Sequence, residues 1–482
     1  MSGLRRLLWS SPLYKSLMCA AAGTALLFAA LSAEGAAPAV SPVAAPAKLS
    51  AVATSVLAPA TAQPERIILN LTNDTQHEMA VTWRSGIGAP QGRVQFAIAE
   101  AGPNFVRHAA EITAKSELLT LDVEEKAGFQ ATYNSAVLTG LEPSTRYVYR
   151  VGDGALWSEW FQFSTAGKPG ERFSFIYLGD AQNDILSHWS RVLREAQRED
   201  GKAAFMLHAG DLINRHNADH EWAEWFSAGG FIHAQTPSIM TPGNHEYGRP
   251  IDETGARLSP QWRAQYTLPE NGPAGREKLK ETAFYVDYQG VRIISVNALL
   301  LHGDPEERAA QVKWLDDILA NNPNRWTVIS LHFPLYSSEP DRDNPDVREA
   351  LKPLIDKYKV DLLLQGHDHG YARGAAPTPI GESRPDDNAT IYIVSVAGPK
   401  MYAVSDLAWA DRKASQTQLF QVLTVEGDRL EYKAYTANGV LYDAFALQKD
   451  AAGKKTRIEL KPRTPELWLP GKKINKDGDL AQ

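Results

Sequence analysis

Cysteine is almost absent from this chain: Cys19 is the only one in 482 residues. No disulfide forms within the chain and no thiolate cluster holds a metal, so the packed core must carry the fold. That suits an exported bacterial protein better than a disulfide-stapled secreted domain. An excess of positive charge is also missing. Lys and Arg number 50 against 57 Asp and Glu, for a net charge of −7. This argues against nucleic-acid binding through a basic surface. No internal repeat is visible. Hydrophobic residues at 44% and charged residues at 22% make an ordinary soluble composition. The length leaves room for two domains and a small third.

The ends differ from the middle. Arg5, Arg6 and Lys15 precede an apolar stretch, Leu17 to Ala33, that closes on small residues. Residues 1–33 therefore read as a secretory signal, which predicts an exported protein, periplasmic or extracellular. The alternative is an uncleaved anchor, since the stretch is nearly long enough to span and would tether the protein to a membrane. Residues 34–63 are rich in Ala, Pro, Val and Ser and predict a flexible linker. Residues 450–482 are polar and irregular, an extension with no assignable role.

Two patterns fill the middle. Over residues 64–167, short strands such as Met79–Trp83, Arg93–Ala97, Tyr147–Val151 and Glu159–Thr165 alternate with turns, which predicts an all-β sandwich. No ligand cluster is visible there, so its expected role is packing and positioning. From residue 171 to 449 strands alternate with helices, predicted over Ile185–Glu199, Pro305–Ala320 and Pro345–Lys357, and an α/β domain follows. Strands near 419–425 and 430–435 close it.

The α/β part carries the chemistry. Phe173–Leu178 leads to Gly179-Asp180, and Ala204–Leu207 leads to Gly210-Asp211. Gly243-Asn244-His245-Glu246 follows, then Trp326–Leu331 running into His332, then Val360–Leu364 running into Gly366-His367-Asp368-His369. Apolar, β-branched runs ended by glycine predict buried parallel strands. Sites in open α/β sheets gather at the carboxyl ends of strands, so the pattern predicts two Asp, one Asn and four His along one edge of one sheet. Carboxylates with imidazoles suit a pair of metal ions. Two ions roughly 3.5–4 Å apart clamp a displacement at phosphorus. The net negative charge does not exclude an anionic phosphoester, because bound metals dominate the local field.

The order Asp, Gly-Asp, Gly-Asn-His-Glu, His, Gly-His-x-His resembles the calcineurin-like metallophosphoesterases, and within them the purple acid phosphatases. Leu138 to Gly152 resembles a fibronectin type III repeat of the kind that precedes their catalytic domain. The resemblance implies a fibronectin III-like sandwich followed by a four-layer α/β sandwich. It implies an acid phosphatase-like hydrolase with a dinuclear centre of Fe, Mn or Zn. The reaction it implies is in-line displacement on a small phosphomonoester by metal-activated hydroxide. Asp211 would bridge, Asp180 and His369 would complete one site, and Asn244, His332 and His367 the other. His245 would be the catalytic acid or phosphoryl donor, with Glu246 beside it. Tyr371 and Arg373, after the last His, would serve substrate recognition, Arg373 being either a phosphate contact or a structural arginine paired with an acid; Asn214 and His216 would serve it from the rim.

Two residues depart from the family pattern. Gln182 stands where many relatives carry His, and is either a ligand or a group orienting one. Asn214 stands where purple acid phosphatases carry the colour-giving Tyr, which puts ferric chemistry in question. Two other readings remain open: a phosphodiesterase or nucleotide pyrophosphatase with the same metals, and a non-catalytic relative that binds a surface polymer. Nothing in the sequence sets an oligomeric state.

Overall fold

The computed structural model describes residues 59–121, 130–248, 255–376, 388–460 and 462–467. The signal-or-anchor segment, the linker up to residue 58 and the last residues from 468 lie outside these. Among the described residues no helix is long and apolar enough to cross a membrane.

Strand periodicity builds the α/β half. Seven strands form one sheet in the order Phe284–Tyr288, Val291–Val296, Trp326–Leu331, Leu362–Gln365, Ile391–Val394, Tyr371–Ala375, Ala410–Ala414. Successive side chains of a strand point to opposite faces. Ile293, Val328, Leu362, Leu364, Ile391 and Ile393 accordingly join the core between the sheets. Their neighbours Ile294, Ile329, Leu363 and Tyr392 pack instead on Leu315, Ile318, Val347, Leu351 and Ile355. Those last side chains belong to helices Pro305–Ala320 and Pro345–Tyr358, each started by proline. A strand apolar on both faces reads as a continuous hydrophobic run, which is why these strands were legible.

The facing sheet has eleven strands. Phe173–Leu178, Met206–His208 and Ser238–Met240 run parallel at its centre. Leu419–Glu426, Arg429–Thr436 and Leu441–Lys449 extend it on one side in antiparallel pairs. A π-helical turn at Ile185–Trp189 and helix Ser190–Glu199 follow the first central strand. Beyond Leu441–Lys449 lies one more strand, Lys455–Glu459. Part of the expected irregular extension is thus sheet. Its pattern hid it, because Ile458 is its only large apolar side chain, and Lys455 and Arg457 pair with Asp361 and Asp411.

The N-terminal sandwich has the predicted two layers. Glu65–Asn70, Met79–Ser85, Gln130–Leu138 and Lys115–Thr120 form one, and Ala110–Thr113, Arg93–Ile98, Arg146–Gly152 and Phe161–Ser164 the other. The first layer is continuous with the eleven-stranded sheet through a single register pair, Asn70 opposite Ser238. The Asn70 side-chain amide also donates to the Ser238 carbonyl at 2.9 Å.

Behind the central strands lies a buried aromatic cluster. The His233 ring stacks on Trp225 at 4.1 Å between centroids, and His208 meets the same Trp225 edge-on at 5.5 Å. Burial lowers the pKa of both imidazoles to about 3, so both are neutral.

Candidate metal centre

Five strand ends converge here. Asp180 follows Phe173–Leu178, Asp211 follows Met206–His208, and the 3₁₀ turn Asn244–Glu246 follows Ser238–Met240, all in the larger sheet. His332 follows Trp326–Leu331, and His367 and His369 follow Leu362–Gln365, in the smaller sheet. The expectation of one edge of one sheet is therefore corrected: the ligand candidates come from two facing sheets. Both halves of the chain repeat the same strand–helix pattern, and local periodicity does not say which sheet a strand joins.

The backbone bends sharply at these residues. Asp180, Asp211 and His367 have φ of 43°, 51° and 73°. A left-handed conformation costs a residue with a Cβ on the order of 1–2 kcal/mol, and such strain collects at functional sites. Neighbouring glycines keep the carboxylates clear. A Cβ on Gly243 would lie 2.2 Å from Asp211 Oδ1, and one on Gly366 would lie 2.6 Å from Asp180 Oδ2.

Two groups of side-chain atoms form within this bend. Those of Asp211, His332 and His367 all lie within 4.8 Å of one another, as do those of Asp180, Asp211 and His369. Asp211 belongs to both. Asn244 Oδ1 stands 3.2 Å from His332 Nε2. His332 Nδ1 donates to the Ala209 carbonyl and His369 Nδ1 to the Lys400 carbonyl, each at 2.8 Å. A carbonyl can only accept, so each ring carries a proton on Nδ1; the neutral His369 keeps a lone pair on Nε2, and His332 Nε2 faces Asp211 Oδ2 at 3.1 Å. The His367 amide donates to Asp180 at 2.9 Å and ties the two sheets together.

The electrostatics favour a cation. Burial raises the Asp180 carboxyl well above its usual range. Burial also opposes charge on His332, yet Asp211 and Asp180 outweigh it and raise its pKa to about 9. Burial pushes His367 well down and His369 to about 3, so both are neutral, as ligands must be. Gln182, 1% exposed, extends into the same space. Its Nε2 lies 3.0 Å from His369 Nε2 and 3.2 Å from Asp211 Oδ2, and its Oε1 is buried with no partner among the described residues. Carboxylates and imidazole nitrogens gathered at one point, with the buried Gln182 amide beside them and its oxygen unpartnered, fit a pair of metal ions.

His245 lies beside this group without belonging to it. Its amide donates to Asp211 Oδ1 at 2.8 Å, its Nδ1 contacts the Asn214 carbonyl at 2.6 Å, and its Nε2 is 3.9 Å from Asp211 Oδ2. Asn214 thus bears on the site through its backbone. The His216 ring packs against Gly248, where a Cβ would come within 2.4 Å of Nε2.

Three expected site residues are held in buried contacts with other parts of the chain. Glu246, expected beside the catalytic His245 to orient it or the loop, is wholly buried and accepts the amides of Asp211, Leu212 and Gly243 at 2.7–2.9 Å. It is a positioning residue that ties two motif loops. Burial and the Asp211 charge raise its pKa to about 7. Tyr371 and Arg373 were expected at the substrate. Arg373 instead forms a buried double bridge, to both oxygens of Asp443 at 2.8–2.9 Å and to Glu459 at 2.9 Å. The Tyr371 hydroxyl donates to the same Asp443 at 2.7 Å.

Other residues of the site carried no sequence signal. The Tyr402 ring packs on His369 at 4.5 Å, and the Lys400 carbonyl orients His369. Arg342 donates to Asp368 at 2.8 Å and to the His367 carbonyl at 3.2 Å. Only Asp368 could have been suspected, from its place between two histidines.

Residues 64–165 match the family model of the purple acid phosphatase N-terminal domain, and residues 173–371 that of the calcineurin-like phosphoesterases. The chain belongs to the calcineurin-like phosphoesterases, in their purple acid phosphatase branch. Probable inactive purple acid phosphatase 1 of Arabidopsis thaliana is 25% identical over 432 residues, which cover 77% of this chain and 67% of that protein. Fe(3+)-Zn(2+) purple acid phosphatase 12 of the same plant is 27% identical over 283 residues, covering 53% and 57%. Among solved structures, purple acid phosphatase PPD1 from yellow lupin seeds superposes with a TM-score of 0.67 at 20% identity, covering 81% of this chain and 75% of that one. At that identity the likeness speaks for the fold.

Proposed function

We propose that this protein is a dinuclear metal-dependent phosphoesterase that hydrolyses small phosphomonoesters. The observation that carries the reading is the pair of ligand groups sharing Asp211. Asp180, Asp211 and His369 would hold one ion, and Asp211, Asn244, His332 and His367 the other. Fe, Mn and Zn all suit this set of oxygen and imidazole donors. When bound, such a pair polarises a phosphoryl oxygen and lowers the pKa of water to about 7.

The chain's own side chains supply the rest. With Nδ1–H of His245 held by the Asn214 carbonyl, Nε2 is the atom that faces the site. A proton on Nε2 would be donated to the leaving oxygen or to a phosphoryl oxygen. Glu246 fixes the spacing of Asp211 and His245 by gathering the loop amides. Export, by a cleaved signal or an anchor, is part of the same reading and rests on residues 1–33.

A second reading has one observation behind it: a relative that covers 77% of this chain carries the name probable inactive. Metal analysis combined with turnover separates the two. Two equivalents of metal, with faster hydrolysis of 4-nitrophenyl phosphate than of its bis-ester and loss of both on chelation, support the phosphomonoesterase. The reverse preference supports a diesterase. No metal after reconstitution overturns the enzyme in favour of a binding protein.

A further inference from the structure

We propose that Gln182 is itself a metal ligand, through its amide oxygen, at the site made by Asp180, Asp211 and His369, and that the centre takes two divalent ions. The proposal rests on the dinuclear reading above and adds to it the missing donor and the charge of the cofactor.

Gln182 is in the right place twice over. Its backbone amide donates to the Asp211 carbonyl at 3.1 Å, which fixes the residue beside the shared carboxylate. Its side chain ends between Asp211 Oδ2 and His369 Nε2, two atoms of one ligand group. Because His369 keeps its proton on Nδ1, the amide meets a lone pair and a carboxylate oxygen together. An NH₂ satisfies both, and that is the end of the amide pointing there. Oε1 is left buried and unpartnered among the described residues. The terminal torsion of Gln is broad, and the two ends of an amide have nearly the same shape. A half-turn therefore exchanges Nε2 for Oε1, and an oxygen then faces the same point. The result matches the other site, where Asn244 contributes an amide oxygen.

The charge count follows. Asp180 and Asp211 are the only carboxylates in the two ligand groups. Glu246 spends its oxygens on three amides, and Asp368 is paired with Arg342. Every remaining donor (Gln182, Asn244, His332, His367, His369) is neutral when it binds a metal. Two negative charges balance half the charge of a divalent pair, and less of a pair containing a trivalent ion. Amide and imidazole donors at both positions favour the divalent pair.

The test is equilibrium dialysis of the metal-free full chain against Mn²⁺, Zn²⁺ or Fe³⁺, with bound metal measured by mass spectrometry and folding checked by circular dichroism. Wild type is expected to hold two divalent ions and to retain no Fe³⁺. Gln182→Ala is expected to keep one ion at wild-type affinity and to bind the other at least roughly 10–100-fold more weakly. Gln182→Glu, nearly isosteric, is expected to hold both ions and to retain Fe³⁺, and it carries the test if the alanine variant fails to fold. Two ions at wild-type affinity in Gln182→Ala, or no change in Gln182→Glu, would overturn the ligand role. A ferric ion held by wild type would overturn the divalent pair. A wild type that binds no metal at all would overturn the dinuclear reading itself.

Discussion

Arg84 of the N-terminal sandwich and Asp219 of the phosphoesterase domain form an ion pair at 3.1 Å, with the arginine almost wholly buried. Arg66 joins the same carboxylate at 2.8 Å. Asp219 begins helix Asp219–Gly229, and Glu221, two residues on, accepts the amides of Asn214 and Arg215 at 2.7 and 2.8 Å. The Asn214 carbonyl then holds His245. The sandwich therefore reaches the proposed acid in four steps. Asp219→Ala leaves the buried Arg66 without its carboxylate and Arg84 with Glu65 alone, and should cost roughly 3 kcal/mol in urea unfolding. It should also slow alkyl phosphate hydrolysis more than aryl, because it loosens the residue that protonates the leaving group. Equal slowing of both would leave the chain of contacts a purely structural role.

His245→Ala should keep both metals and lose turnover. General acid help is worth roughly 10²–10⁴-fold, and most of it matters for leaving groups that need a proton. The wild-type to variant rate ratio should therefore be larger on an alkyl phosphate than on 4-nitrophenyl phosphate. Matching ratios at full metal content would speak for phosphoryl positioning alone.

Asp211→Asn should remove more metal than Asn244→Ala, since Asp211 belongs to both ligand groups and Asn244 stands by one. The check is metal per chain after dialysis, and an equal loss in the two variants would count against the bridge.

Arg373→Met should destabilise the fold by roughly 3–5 kcal/mol, because the buried Asp443 would be left without its cation, while Glu459 keeps Arg457. KM for a phosphomonoester should stay near the wild-type value in the folded fraction. A large rise in KM would return Arg373 to the substrate.

His208 and His233 predict sensitivity to acid. Their folded pKa, about 3, lies below the usual 6.5, so the unfolded chain binds more protons between those values. Their contribution is whole above pH 6.5 and is lost as pH falls towards 3, by at most about 1.4 kcal/mol per group per pH unit. His233→Phe keeps the stack on Trp225 and removes one titration. Urea unfolding at pH 7, 6, 5 and 4 should show a shallower fall for this variant.

The sequence displayed the ligands because each one ends a strand that is apolar on both faces, as at Phe173–Leu178 and Trp326–Leu331. It did not display their division between two sheets, which depends on long-range pairing such as Phe175 with Leu423. Arg373 was misplaced for a related reason. Its acids lie far along the chain, at Asp443 and Glu459, and nothing local distinguishes an arginine facing phosphate from one facing carboxylates. Adjacency to His245 suggested an orienting role for Glu246, but its three amide partners come from loop geometry that side-chain types do not encode.

The single pairing of Asn70 with Ser238 governs how this protein can be cut. At that pair, strand Glu65–Asn70 meets the side of Ser238–Met240 that would otherwise be an open edge of the eleven-stranded sheet's central strands. Expressing the phosphoesterase half alone, from about residue 171, would uncover that row of amides and carbonyls next to a core that is already apolar. Exposed edges of this kind recruit other strands and drive aggregation. A version of the α/β half expressed alone is therefore expected to need a substitute partner at the Ser238 edge.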